Sequence, residues 1–190
     1  MVANTTSIPT AEASEQNEKP LIVVSIVQQR LQLRLQEKVL VDTVIASASN
    51  GAGEQMGSER TPRGWHKIRA KIGAGLAPNA VLVGRRPTGE IYTPQLRSQF
   101  PDRDWILTRI LWLSGLEPGR NRFGEVDTMR RYIYIHGCPD DDAMGIPSSH
   151  GCLKMRNAEI ISLFEQVPVN TLVWVTESAI PEVLPLPPER

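Results

Sequence analysis

Few of the residues that staple or anchor small domains occur in this chain: 190 residues contain two cysteines, three histidines and three phenylalanines, and 21 Lys and Arg balance 21 Asp and Glu. Two cysteines cannot build a disulfide framework, and a chain of this length buries roughly two thirds of its extended surface without one. Zero net charge removes the long-range field that draws proteins to nucleic acid or to an anionic membrane. No apolar run is long enough for a transmembrane helix, and residues 1–19 hold neither the basic start nor the apolar stretch of a secretory signal. The chain as written is therefore expected in the cytoplasm with its thiols reduced, or in the periplasm or cell wall if another route exports it.

What the chain does have is a repeated tripeptide. His-Gly-Cys stands at His136-Gly137-Cys138 and again at His150-Gly151-Cys152, which uses both cysteines and two of the three histidines. Imidazole beside thiol makes a nucleophile near neutral pH, because the ring takes the proton that keeps sulfur inert. A neighbouring imidazolium or a helix N-terminus lowers a thiol pKa from its ordinary value of about 8.5, and both aids are expected around Cys152. The same four side chains are also an acceptable ligand set for zinc, although zinc fingers separate paired cysteines by about two to four residues. Asp140-Asp141-Asp142 lacks the spaced ligands of a calcium loop and reads as a solvated turn or an attraction for a cationic amine. Cys138 reads as a packed side chain, His66 as structural, and Trp65, Trp105, Trp112 and Trp174 as mostly core.

Hydrophobic patterning predicts a mainly β domain over residues 20–178, between a disordered leader at 1–19 and a loose Pro-rich tail at 179–190. Strand-like runs cover 21–27, 31–35, 39–46, 65–70, 80–83, 105–113, 131–135 and 172–175. Leu31, Leu33 and Leu35 alternate with polar residues, the period of a strand with one wet face. Thr61-Pro62-Arg63-Gly64 has the Pro and Gly positions of a type I turn. One helix is predicted after an Asn157 N-cap, with Ile160, Ile161, Leu163, Phe164 and Val167 on its apolar face and Pro168 as its stop. The pairs Arg85-Arg86 and Arg130-Arg131 read as solvated strand ends.

Ser149-His150-Gly151-Cys152-Leu153-Lys154-Met155-Arg156-Asn157, with His136-Gly137 upstream and 12 residues between His136 and Ser149, resembles the signature of the L,D-transpeptidase catalytic domain (YkuD) family. Thr61-Pro62-Arg63-Gly64 and Gly145 agree with that pattern. The resemblance implies a mixed β-sandwich with one principal helix after the nucleophile, and cysteine-dependent acyl transfer on peptidoglycan tetrapeptide stems or muropeptides without a cofactor. It assigns Cys152 as nucleophile, His136 as base, the Gly137 carbonyl as the group orienting that base, and His150 to substrate positioning. It makes the N–H groups of Gly151 and Cys152 the oxyanion hole and brings Ser149, Lys154 and Asn157 to the substrate. Lys154 departs from the arginine usual there and lacks its planar fork. Carbapenem-type β-lactams are implied as acylating inhibitors. An amine acceptor gives a transpeptidase and water an L,D-carboxypeptidase that cuts between the diamino acid's L-centre and D-Ala. The lack of an export signal favours the carboxypeptidase, and a zinc-binding or silent murein-binding module is the rival reading.

Overall fold

Runs of Val, Ile and Leu, alternating with polar residues in the second strand, form a first meander, β1 (Leu21–Ser25), β2 (Arg30–Leu35) and β3 (Lys38–Val44), in the computed structural model, which describes residues 19–188. The expected leader thus lies outside the described residues except for Lys19, as do the last two residues of the tail. There follow β4 (Gly64–Ile72), β5 (Ala80–Val83), β6 (Arg86–Ile91), α1 (Pro94–Gln99), β7 (Ile106–Gly115), β8 (Tyr134–Gly137), β9 (Leu153–Met155), α2 (Asn157–Gln166) and β10 (Leu172–Thr176). The main sheet runs β3-β2-β1-β10-β4-β7-β5-β6, and β8 leaves it from β7 to carry β9. The pairs β1–β10 and β8–β9 are parallel and the others antiparallel, so the sheet is mixed.

One core cluster fills the space between the layers. Ile22 and Val24 of β1, Leu31 and Leu33 of β2 and Val173 of β10 meet Leu111, Ile135 and Leu153 across it. Helix α2 closes the cluster with Ile160, Leu163 and Phe164, the face predicted from their spacing. Each such side chain contributes about 1.5–3 kcal/mol by leaving water. The mainly β class and the helix after Cys152 agree with expectation.

Several local readings change. Asn157 is the first helical residue rather than the N-cap: Arg156 holds the cap position without a side-chain bond, and Asp140 Oδ1 accepts from Asn157 N–H at 3.2 Å. Thr61-Pro62-Arg63-Gly64 enters a strand instead of turning; Thr61 bridges Ala52, and Gly64 at φ +90° opens β4. The strand expected at 131–135 begins at Tyr134, which puts His136 inside it. Trp65 and Trp105 are buried, but Trp112 and Trp174 are only half-buried. The tail is tied at its start, where Ile180 N–H donates to Gln28 Oε1 at 3.0 Å and Ser25 Oγ to the Ser178 carbonyl at 2.7 Å. Strand β6 has no alternating signal because five of its six residues are exposed, and it contains Pro87, as suits an edge strand. Helix α1, capped by Thr93 Oγ1 and started by Pro94, buries no residue and leaves no periodic trace.

His66 is structural, as expected. It is fully buried, with Nδ1 3.0 Å from the Gly64 carbonyl and Nε2 3.1 Å from Thr128 Oγ1. Burial pushes its pKa down from 6.5 to about 4. The unfolded chain therefore binds a proton that the native chain refuses as pH falls through that window, so stability drops from pH 6.5 towards pH 4 by about 3 kcal/mol in total. Urea unfolding at pH 7.5, 5.5 and 4.5 is expected to show this slope, and His66→Gln to reduce it to what His136 and the lowered carboxylates Asp42, Glu54 and Glu90 contribute.

Candidate active site

Tyr134-Ile135-His136-Gly137 is an aromatic and β-branched run that favours a strand. Strand alternation sends Ile135 into the core and places Tyr134 and His136 on the opposite face. Parallel pairing matches Ile135 with Leu153 and His136 with Lys154, which sets Cys152 beside Tyr134 at the entrance to β9. The Tyr134 N–H points at Cys152 Sγ at 3.3 Å, and the thiol lies 3.5 Å from the Tyr132 carbonyl that can accept its proton. Cys152, His136, His150 and Tyr134 line one cavity of about 380 Å³.

His136 is buried, with Nδ1 2.8 Å from the Gly137 carbonyl oxygen. A carbonyl only accepts, so Nδ1 carries the proton and the neutral ring keeps its lone pair on Nε2. Gly137 allows this strand to sit close to its neighbours: a Cβ there would lie 2.6 Å from the Leu107 carbonyl oxygen and 2.7 Å from Asn157 Oδ1. Burial lowers the His136 pKa, and it pushes the Cys152 thiol up to about 12 against the pull of the Tyr134 N–H. The nearby Asp104 carboxylate raises both. Both shifts favour the uncharged forms, a thiol and a neutral imidazole, at rest.

Of the two aids expected to lower the thiol pKa, the helix N-terminus does not reach it. Strand β9 separates Cys152 from α2, and the first N–H of that helix is already taken by Asp140. The dipole thus ends against a carboxylate rather than at sulfur.

The turn before Cys152 is braced from two sides. Ser149, buried, donates from Oγ to the Cys152 carbonyl at 2.6 Å and accepts from Gly151 N–H at 3.2 Å. Gly151 N–H, expected free for an oxyanion, is thus engaged, and the Ser149 hydroxyl is occupied within the turn. Thr61 Oγ1 donates to the Gly151 carbonyl at 3.0 Å and accepts from Ala48 N–H at 3.0 Å. Gly151 sits at φ +131°, where a side chain is strained and a Cβ would come 2.9 Å from Ile133 Cδ1. Thr61 belongs to a local sequence pattern that predicts a turn, whereas its link to Gly151 spans 90 residues and has no local signal.

Asn157, expected at the substrate, is buried away from the cavity: its amide donates to Asn79 Oδ1 at 2.8 Å and to the Cys138 carbonyl at 2.9 Å, and its oxygen accepts from Thr108 Oγ1. Lys154 lines the cavity, but its ammonium donates to the Ser148 carbonyl at 3.2 Å and lies 3.6 Å from Asp142. His150 is exposed at the cavity wall. Cys138 is buried against Met144 and the Met155 carbonyl, and burial pushes its thiol up to about 12. The acidic triplet lies in a turn with Asp140 and Asp141 exposed, and it is also paired: Asp140 accepts from the first N–H of α2, Asp141 accepts from Tyr92 and Arg97, and Asp142 pairs with Arg97 at 2.6 Å. Arg131 is not a solvated strand end either, since its guanidinium holds the carbonyls of Gly53, Glu54 and Arg60 and Ser58 Oγ. Among the described residues no group of three or more His, Cys, Asp or Glu side chains is placed to hold a metal ion, so the zinc set of His136, Cys138, His150 and Cys152 is not assembled.

Two measurements check this arrangement. In a Cys138→Ala background, alkylation of Cys152 by iodoacetamide is expected to climb steadily from pH 7 to pH 10; a plateau near neutrality would show a thiolate already formed. Thr61→Val leaves the Gly151 carbonyl and the Ala48 N–H without this partner, and is expected to lower unfolding free energy by about 1–3 kcal/mol in denaturant titration.

The family model for the L,D-transpeptidase catalytic domain, YkuD, matches residues 19–175. Among curated relatives, the putative L,D-transpeptidase YqjB of Bacillus subtilis is 36% identical over 55 residues, 29% of this chain and 31% of that protein. The probable L,D-transpeptidase YbiS of Escherichia coli K12 is 46% identical over 43 residues, 23% of this chain and 14% of that one. These matches span less than a third of either relative. Among solved structures, an Enterococcus faecium L,D-transpeptidase mutant superposes with a TM-score of 0.51 at 18% identity, covering 84% of this chain and 50% of the other. L,D-transpeptidase 3 from Mycobacterium tuberculosis, in complex with a faropenem-derived adduct, gives 0.51 at 15% identity over 83% of this chain and 60% of its own. With the motif, the sheet topology and the family match over most of its length in agreement, the chain belongs to the L,D-transpeptidase catalytic domain (YkuD) family.

Proposed function

We propose that this chain catalyses acyl transfer on peptidoglycan tetrapeptide stems, with Cys152 as nucleophile and His136 as base. The observation that carries this reading is the shared cavity of the two side chains, with the Gly137 carbonyl fixing the imidazole so that Nε2 is free to accept a proton. Because thiol and ring are both neutral at rest, proton transfer from Sγ to Nε2 accompanies sulfur's attack on the carbonyl between the diamino acid's L-centre and D-Ala. The tetrahedral oxyanion is met by the Cys152 N–H, and by Gly151 N–H once it exchanges Ser149 Oγ for the new charge. Collapse breaks the C–N bond, the imidazolium returns its proton to the departing D-Ala amine, and a thioester remains on Cys152.

The acceptor then decides the product. Relatives named as transpeptidases favour a stem-peptide amine, which gives a cross-link outside the cytoplasmic membrane. Water gives an L,D-carboxypeptidase, suited to recovered muropeptides. Arg85, Arg131 and Lys154 outnumber Asp104 around the cavity, which favours an anionic stem. His150, at the same wall, is placed to contact it. A similar solved structure is an avibactam carbamoyl enzyme and another is in complex with imipenem, which supports acylation of Cys152 by carbapenem-type β-lactams.

The test is disaccharide tetrapeptide incubated with and without an amine acceptor, with products weighed by mass spectrometry. Dimer, or an amide adduct of the added acceptor, is expected; tripeptide alone in the acceptor's presence would assign hydrolysis. Cys152→Ala is expected to abolish both products and Cys138→Ala to retain most of the rate. Equal losses from the two would overturn the assignment of the nucleophile.

A further inference from the structure

Of the cationic side chains around the cavity, two are committed elsewhere. Arg131 is pinned to the 53–60 loop, and Lys154 is held by the Ser148 carbonyl and Asp142. Arg85 differs. Among the described residues its guanidinium has no carboxylate partner, and its side-chain hydrogen bond is Nη1 to the Tyr134 hydroxyl at 3.1 Å. The group lies 4.6 Å from the Trp112 ring centroid and 4.9 Å from that of Tyr132. Stacking orients a planar fork of five donors while using one of them, the state in which arginine receives a carboxylate at two points.

The backbone adds an independent argument. Val83 pairs with Arg86, so Gly84 and Arg85 form a two-residue hairpin loop, with φ of +54° and +67°. Such a loop favours glycine or asparagine at both places, and an arginine in the left-handed region carries a conformational cost. Tyr134 connects this loop to the chemistry, since its N–H faces Cys152 Sγ and its hydroxyl faces Arg85. One tyrosine side chain therefore separates the attacking sulfur from the available fork. In a tetrapeptide stem the terminal carboxylate stands one residue beyond the attacked carbonyl.

We propose that Arg85 is the specificity-determining residue of this site and receives the terminal carboxylate of the donor stem in a two-point contact. The proposal rests on the acyl-transfer reading for its substrate, and its test separates the two. Calorimetric titration of disaccharide tetrapeptide, and of the same compound with its terminal carboxylate converted to carboxamide, into Cys152→Ala protein measures binding without turnover. Carboxamide is expected to weaken Kd at least tenfold. Arg85→Gly, which also relieves the left-handed strain and so keeps the fold, is expected to weaken acid binding by the same factor and to bind acid and carboxamide alike. Arg85→Lys, a point charge without the fork, is expected to fall between. Losses that add when both changes are made, or a Kd indifferent to either, would overturn the assignment. Turnover by Cys152→Ala would instead sink the catalytic reading.

Discussion

The parallel pairing of β9 with β8 determines where sulfur and imidazole stand, because the match of His136 to Lys154 sets Cys152 beside Tyr134 on the cavity side of the sheet. Three residue pairs are little for this task, and parallel pairing is the weaker kind per residue. Support comes from both flanks. On the far edge of β9, Ala46 and Lys154 exchange backbone hydrogen bonds at 2.9 and 3.1 Å, and past the end of β8 the Cys138 N–H donates to the Met155 carbonyl at 3.0 Å. Ser149 and Thr61 then fix the turn that delivers the cysteine.

Burial shapes the electrostatics more than any single charge does. Desolvation moves Cys152 and His136 in opposite directions, each towards its uncharged form, so the pair costs the resting fold no buried ion. The charged side chains around it are mostly used in construction: Asp140 ends a helix, Asp142 bridges Arg97 and Lys154, and Arg131 secures a loop. A balanced composition thus hides a site whose wall is locally cationic.

Much of this was legible in the chain. Alternation located most strands of the sheet, the apolar stripe located α2, and two scarce residue types recurring in one tripeptide marked the site before any contact was known. What escaped has a common physical cause: it depends on partners distant in sequence. The hydroxyl of Thr61 acts on a carbonyl at Gly151, Asn157 is claimed by Thr108 and Asn79, and the guanidinium of Arg131 is satisfied by a loop near residue 54. Pattern and propensity describe neighbours along the chain, so they could name these residues but not their employment. The thiol's raised pKa belongs to the same class, because exclusion of water is a property of the assembled cavity.

The parallel contact between β1 and β10 has a mechanical consequence. It joins Leu21 to Leu172 and Ser25 to Thr176, so chain leaving before residue 21 and chain leaving after residue 176 depart from opposite ends of one pair of adjacent strands. Tension applied between those exits loads the hydrogen bonds of the pair side by side, in shear, instead of opening them one after another. Resistance to such a pull is set by the unfolding rate, and here the ladder that bears it lies in the middle of the sheet, between β2 and β4.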